Sequence, residues 1–444
     1  MSIIKYAKKH HSQLFQRPSN HTHHLDGLRA ISCLLIILYH VFFLTSLFVP
    51  FETFNEFLKN TPTYYSWIWG LDKTVDSFFV ISGFLIGQIL LKEMGKTGTL
   101  SLGNFYWRRY LRLTPVYLLA IFIFYLVAPK QQSENIWANI FYINNFLPFE
   151  SMSMPWTWSL AVEEQFYLLL PLLLLATKAL SPSHHLIRNL IGVSLALFLL
   201  SFFVRALIVF SNETISTSGY SELFNSRAGI LVYFDSIYVN LHTRFGPFIL
   251  GFLAALLLQH KQHNMELFFK NQQIGYRILT QTITFLALII IILSLFANGN
   301  KHWIGSAEHS LWFLICDRNL FALALTWILV SLYFPSGIGL LIKQFLSAKI
   351  FYPLAQLSYS LYLFHYMLAI PVVFSLVKTL EANYELGVLA GYHWYFLATV
   401  ILLILCLPVS YLIYITIERP FIDLRPSSPQ LSNKPPMAEG VQRV

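Results

Sequence analysis

Ten apolar runs, each about 17–25 residues long, decide what this chain can become. They lie near residues 30–49, 75–91, 111–129, 157–177, 189–210, 242–260, 278–297, 311–333, 351–375 and 393–416. At 1.5 Å per residue, a helix of that length crosses a hydrocarbon layer of roughly 30 Å and satisfies its own backbone hydrogen bonds. A water-soluble fold has no use for ten of them. Charged residues are 11% and hydrophobic residues 56% of the 444-residue chain, whereas soluble domains carry about 25% charged residues. The pattern predicts an all-α, polytopic membrane bundle of about ten transmembrane helices in a single domain.

The distribution of Lys and Arg sets an orientation. With the N-terminus in the cytoplasm, Lys92, Lys96, Arg108, Arg109, Arg112, Lys178, Arg188, Lys261, Lys270, Arg277, Lys343, Lys349, Arg419 and Arg425 gather on the cytoplasmic face. Lys59, Lys73, Lys130, Arg227, Arg244, Lys301 and Lys378 fall on the opposite face, and the C-terminus returns to the cytoplasm. The formal net charge of +9 is spread among short loops, so it reads as membrane topology and no nucleic-acid partner is expected. Residues 1–28 read as a basic, His-rich cytoplasmic segment without a signal-peptide core. The membrane domain is expected over 29–420 and a short cytoplasmic tail over 421–444. A shorter apolar stretch at 136–149 suits an interfacial or re-entrant segment. Cys33, Cys316 and Cys406 lie far apart in apolar runs, with neither metal-ligand nor disulfide spacing.

Ionisable groups inside a bilayer are expensive and are functional candidates by default. His40 lies eleven residues after Arg29, about 16 Å further along the first helix. There it is either a satisfied buried histidine or a general base. Asp76 opens the second run and suits a helix start, while Ser82-Gly83 suits close helix packing. Arg109 and Arg112 share a helix face at the cytoplasmic mouth, where they either anchor the span or hold phosphates. Glu163 and Glu164, followed by Gln165, sit inside an apolar run with no comfortable lipid-facing explanation. Ser159 and Glu163 are four apart and lie on one face. His365 is a second intramembrane histidine, and Arg318 follows Asp317 within the eighth run. That pair either closes on itself or meets a charge from another helix.

Taken in order, Arg29 with His40, Asp76-Ser-Phe-Phe-Val-Ile-Ser-Gly-Phe84, Arg109-Tyr-Leu-Arg112, Trp158-Ser-Leu-Ala-Val-Glu-Glu-Gln-Phe-Tyr167 and Tyr359-Ser-Leu-Tyr-Leu-Phe-His365 resemble the signatures of the acyltransferase-3 family. These are integral membrane O-acyltransferases of ten core helices that modify bacterial cell-surface glycans. The resemblance covers about residues 25 to 425. It implies acetyl-CoA or another acyl-CoA as co-substrate, with no permanently bound cofactor and no metal. It also implies a surface-polysaccharide or lipid-linked glycan acceptor, such as lipopolysaccharide O-antigen, and a multi-pass location in the bacterial inner membrane. Some members carry an extracytoplasmic hydrolase-like domain after the helices. The short polar stretch after the tenth run makes that domain unexpected here.

The resemblance implies that Arg29 and His40 are essential to catalysis, and on this reading Arg29, Arg109 and Arg112 dock the anionic CoA. His40 acts as general base toward an acceptor hydroxyl, with an acyl-His intermediate as the other route. Glu163 is the expected orienting partner of His40. Asp76, Ser82, Glu164, His365 and Arg318 are expected on the acceptor side. A glycan or lipid-linked sugar transporter, or flippase, is the alternative that would use the same buried charges.

Overall fold

A computed structural model describes residues 3–18, 22–271, 273–299, 307–383 and 392–426. Ten helices are long and apolar enough to cross a membrane: His23–Leu47, Thr63–Thr97, Leu102–Val127, Pro155–Leu180, Ser183–Ser211, Leu241–His260, Ile274–Ala297, His309–Ser331, Phe351–Ala382 and Tyr392–Asp423. Each corresponds to one of the ten apolar runs, and no strand occurs among the described residues. Most begin or end beyond the apolar run, because polar residues extend the helical hydrogen bonding into the flanks. The 136–149 stretch forms short turns, Ile136–Ile140 and Asn144–Phe146, rather than a span.

Residues 1–28, expected as a basic, His-rich segment, contain regular structure. Ile3–Phe15 is a helix, and its Leu14 is 1% exposed. The first span already begins at His23. The expected boundary at residue 29 therefore falls inside a continuous helix. Most of the expected 421–444 tail lies outside the described residues.

The second and sixth spans share the longest interface of the bundle, and small residues explain why. A Cβ on Gly83 would stand 2.0 Å from the Phe248 carbonyl oxygen, and one on Gly251 would stand 2.0 Å from the Val80 carbonyl oxygen. The two backbones thus meet through reciprocal glycines, as close helix contacts in lipid favour. Phe79 stacks on Phe248 at 4.3 Å between ring centroids, and Phe248 stacks in turn on Phe166 of the fourth span at 4.4 Å. The second span is therefore held in a fixed position against its neighbours. That fixes where Asp72, Asp76 and Ser82 point.

The first span packs against the ninth, the second and the tenth. Cys33 Sγ donates to the Ser358 carbonyl at 3.6 Å, so the middle of the first helix lies close to the first third of the ninth. Gly251→Leu should lower stability by about 3 kcal/mol, the upper end of ordinary overpacking, because the obstacle is backbone. Thermal unfolding in detergent would show this, and an unchanged melting temperature would refute the reciprocal-glycine contact.

Candidate active site

The two intramembrane histidines meet. His40 Nδ1 lies 2.8 Å from His365 Nε2, and the rings stack at 4.9 Å between centroids. His365 Nδ1 lies 2.7 Å from the Tyr362 carbonyl oxygen. A carbonyl only accepts, so His365 Nδ1 carries the hydrogen. In a neutral ring Nε2 then accepts, and His40 Nδ1 must be the donor. This leaves the lone pair on His40 Nε2. His40 is 9% and His365 0% exposed, and the edge of the Tyr366 ring packs on His40 at 5.2 Å.

Glu163 is engaged elsewhere, contrary to the expectation that it orients His40. Its Oε1 accepts hydrogen bonds from the Ser82 and Tyr167 hydroxyls. Adjacent helical positions differ by about 100°, and Glu164, one residue on, has a buried Oε1 without a hydrogen-bond partner. Arg109 lies over the Tyr167 ring at 5.5 Å, which links it to the Glu163 cluster. Arg29 donates to Ser358 Oγ at 3.1 Å.

These groups line one cavity. Arg29, Arg109, Arg112, Ser82, Glu163 and Tyr359 surround about 1330 Å³ of empty space, part of it open to solvent. The cavity starts at the face that carries the N-terminus and reaches Ser159 and Tyr362. Tyr362 donates to the Trp156 carbonyl at 2.7 Å, so the Ser159 hydroxyl, 2.6 Å away, donates to Tyr362. The Tyr362 ring stands between this deep end and His365, 5.7 Å from it. Neither histidine is part of the lining. At the mouth, burial and the nearby guanidiniums of Arg112, Arg109, Arg108 and Arg419 lower the Arg425 pKa from its ordinary value. Positive charge is therefore crowded there, which suits a polyanion. Glu418, bound by the Ser360 hydroxyl at 2.8 Å, lies within electrostatic reach of Arg29 and Arg112.

Two expected acceptor-side residues form a different cluster. Arg318 donates to Asp76 Oδ2 at 2.8 Å and also binds Asp72. Arg244 Nη2 lies 3.2 Å from Asp76 Oδ1. Asp76 is therefore an ion-pair partner rather than a simple helix cap, and Arg318 pairs across helices rather than with Asp317. Lys73 takes Asp317 at 3.0 Å. Lys73 and Arg244, expected on the face opposite the N-terminus, are 0% and 1% exposed. Two guanidiniums facing two carboxylates, and one ammonium facing one carboxylate, leave no net charge to be solvated.

The family comparison fits this arrangement. An acyltransferase domain model matches residues 22–415. The chain belongs to the acyltransferase-3 family. Three relatives illustrate its range. One Staphylococcus aureus (strain COL) protein, provisionally named an O-acetyltransferase, is 29% identical over 77% of this chain and 50% of its own length. The O-acetyltransferase OatA of Staphylococcus aureus (strain NCTC 8325 / PS 47) is 28% identical over 77% of this chain and 49% of its own. The Caenorhabditis elegans protein named nose resistant to fluoxetine protein 6 is 26% identical over 77% and 44%. The acyltransferase-3 chain described here thus spans about half the length of these relatives. No solved structure matches it. Among the described residues, no group of three or more His, Cys, Asp or Glu side chains could hold a metal ion.

The ion cluster predicts a stability phenotype. Arg318→Leu should cost about 3–5 kcal/mol by leaving Asp72 and Asp76 buried without it. Unfolding in detergent would check this. A fully stable Arg318→Leu protein that had lost a substrate affinity would instead assign Arg318 to the acceptor side.

Proposed function

We propose that this chain is a membrane O-acyltransferase. It moves an acyl group, with acetyl as the expected case, from acyl-CoA to a hydroxyl of a cell-surface glycan such as lipopolysaccharide O-antigen. The observation that carries the proposal is the free lone pair on His40 Nε2, fixed by the relay from the Tyr362 carbonyl through His365. Family membership and the O-acetyltransferase names of relatives support the reaction class.

The donor binds from the face that carries the N-terminus, which is cytoplasmic in this reading, in the bacterial inner membrane. Arg29, Arg109 and Arg112 take the phosphates of CoA through charge-assisted bonds. The slender acyl-bearing arm extends along the cavity toward Ser159 and Tyr362. A shift of the Tyr362 ring then brings the thioester to the histidine pair.

His40 Nε2 takes the proton of the acceptor hydroxyl as its oxygen attacks the thioester carbonyl. A C–O bond forms and the C–S bond breaks. The departing thiolate recovers the proton from His40, and CoA leaves as the thiol. His365 is a positioning residue: it holds the His40 tautomer and stabilises the imidazolium, the role first expected of Glu163. Glu163, with Ser82 and Tyr167, shapes the donor cavity wall instead.

The test is acetyl transfer from labelled acetyl-CoA to the envelope glycan of cells expressing the protein. His40→Ala should reduce transfer by at least about 100-fold, the scale of lost general-base catalysis. His365→Ala should reduce kcat with little change in the acetyl-CoA KM, whereas Arg109→Ala with Arg112→Ala should raise that KM. Full transfer by His40→Ala would overturn the mechanism. Glycan translocation without acetylation by the wild-type protein would overturn the reaction class.

A further inference from the structure

Resting on the acyltransferase reading, we infer that an aromatic cleft on the face opposite the N-terminus is the binding site for the acceptor's sugar ring. The cleft encloses about 730 Å³ of empty space, part of it open to solvent, and shares no lining residue with the arginine cavity. Its walls come from five separate parts of the chain, one of them the helix Phe51–Lys59 with Phe54 and Leu58. Tyr39 and Phe43 end the first span, and Trp69 and Asp72 start the second. Tyr220, Tyr233 and Tyr238 come from the connection between the fifth and sixth spans, and Asn298 from the end of the seventh.

Position ties the cleft to the chemistry. Tyr39 precedes His40 directly, and their rings are 5.5 Å apart between centroids. The histidine pair therefore stands between two cavities, with Tyr362 on the arginine side and Tyr39 on the aromatic side. A hydroxyl presented past Tyr39 would approach His40 from the face opposite to the donor.

The lining chemistry selects the ligand. A sugar ring has an apolar C–H face and a polar hydroxyl rim, and Tyr and Trp side chains offer a matching apolar face and polar edge. Asp72 and Asn298 are the polar, non-aromatic side chains of the lining, and the Asp72 carboxylate keeps lone pairs for a sugar hydroxyl. Asn298 Nδ2 donates to Asp72 Oδ1 at 3.3 Å, and Arg318 holds the other carboxylate oxygen. The guanidinium of Arg318 also lies over the Tyr238 ring at 4.8 Å and donates to the Tyr233 hydroxyl at 3.4 Å. The buried ion cluster is thus the backing of this cleft: it fixes the orientation of Asp72, Tyr233 and Tyr238. A lipid tail gains nothing from a carboxylate, an amide and four phenols, so the sugar rather than a lipid carrier is assigned here.

Ile230 and Leu58 line the cleft without belonging to the ion cluster or to the histidine pair, and both are only partly buried. Ile230→Trp fills the space without removing a polar group. The measurement pairs two readouts: alkali-released acetate in the envelope glycan of expressing cells, and the rise in melting temperature that acetyl-CoA gives the purified protein. Ile230→Trp should lower glycan acetate at least tenfold while the acetyl-CoA stabilisation stays at its wild-type value. Unchanged acetate in Ile230→Trp would overturn the cleft assignment and leave the acyltransferase reading standing. No acetate above vector control with the wild-type protein would instead overturn that reading. If Ile230→Trp loses both readouts, Leu58→Trp on another wall repeats the test. A second joint loss means that the cleft is core packing and carries no ligand.

Discussion

One hydrogen bond between two imidazoles, formed across 325 residues of sequence, organises the centre of this protein. A lone histidine in an apolar bundle has no defined tautomer, and its ring is free to turn. The bond from His40 to His365, continued to the Tyr362 carbonyl, removes that freedom without introducing a charge. A carboxylate partner would have brought a buried negative charge next to the ring, with a desolvation cost to be offset. A neutral histidine performs the same orienting task in surroundings that contain mainly tyrosine and tryptophan rings. The proposed reaction depends on this economy, since the base must be neutral before each transfer.

The same constraint governs the charges that the bundle does bury. Asp72 and Asp76 are met by Arg318 and Arg244, Asp317 by Lys73, and the Arg205 guanidinium by the carbonyls of Leu314, Ile315 and Thr243. Each group is either ion-paired or, for Arg205, hydrogen-bonded through all three guanidinium nitrogens, as an apolar medium requires. The guanidiniums of Arg29, Arg109 and Arg112 are different in kind: they border an open cavity where a polyanion can neutralise them. Stability and binding thus draw on one type of side chain at two depths.

Much of this was legible in the chain. Ten spans follow from run length alone, and Arg29, His40, Arg109, Arg112 and Glu163 stand out in the sequence as polar groups in or beside apolar runs. What could not be read was which buried group faces which, because that depends on how each helix is rotated about its axis. Glu163 was matched to His40 on chemical type, yet its helix turns it toward Ser82 and Tyr167. A periodicity clue did exist. Arg29 and His40 are close to three whole turns apart, and Ser358 and His365 close to two, so each pair shares a face. Matching those faces gives the observed Arg29–Ser358 and His40–His365 contacts. Lys73 and Arg244 count as positive charges of the face opposite the N-terminus, but a count of charges does not distinguish a solvated side chain from one closed inside an ion pair.

The two cavities share no lining residue, and the histidine pair with Tyr362 fills the ground between them. In the proposed reaction the donor and the acceptor would approach this layer from separate cavities, so the group handed over is the only thing that has to cross it. On the proposed mechanism the acyl group would cross at a layer of packed aromatic and imidazole rings, and not through a continuous channel.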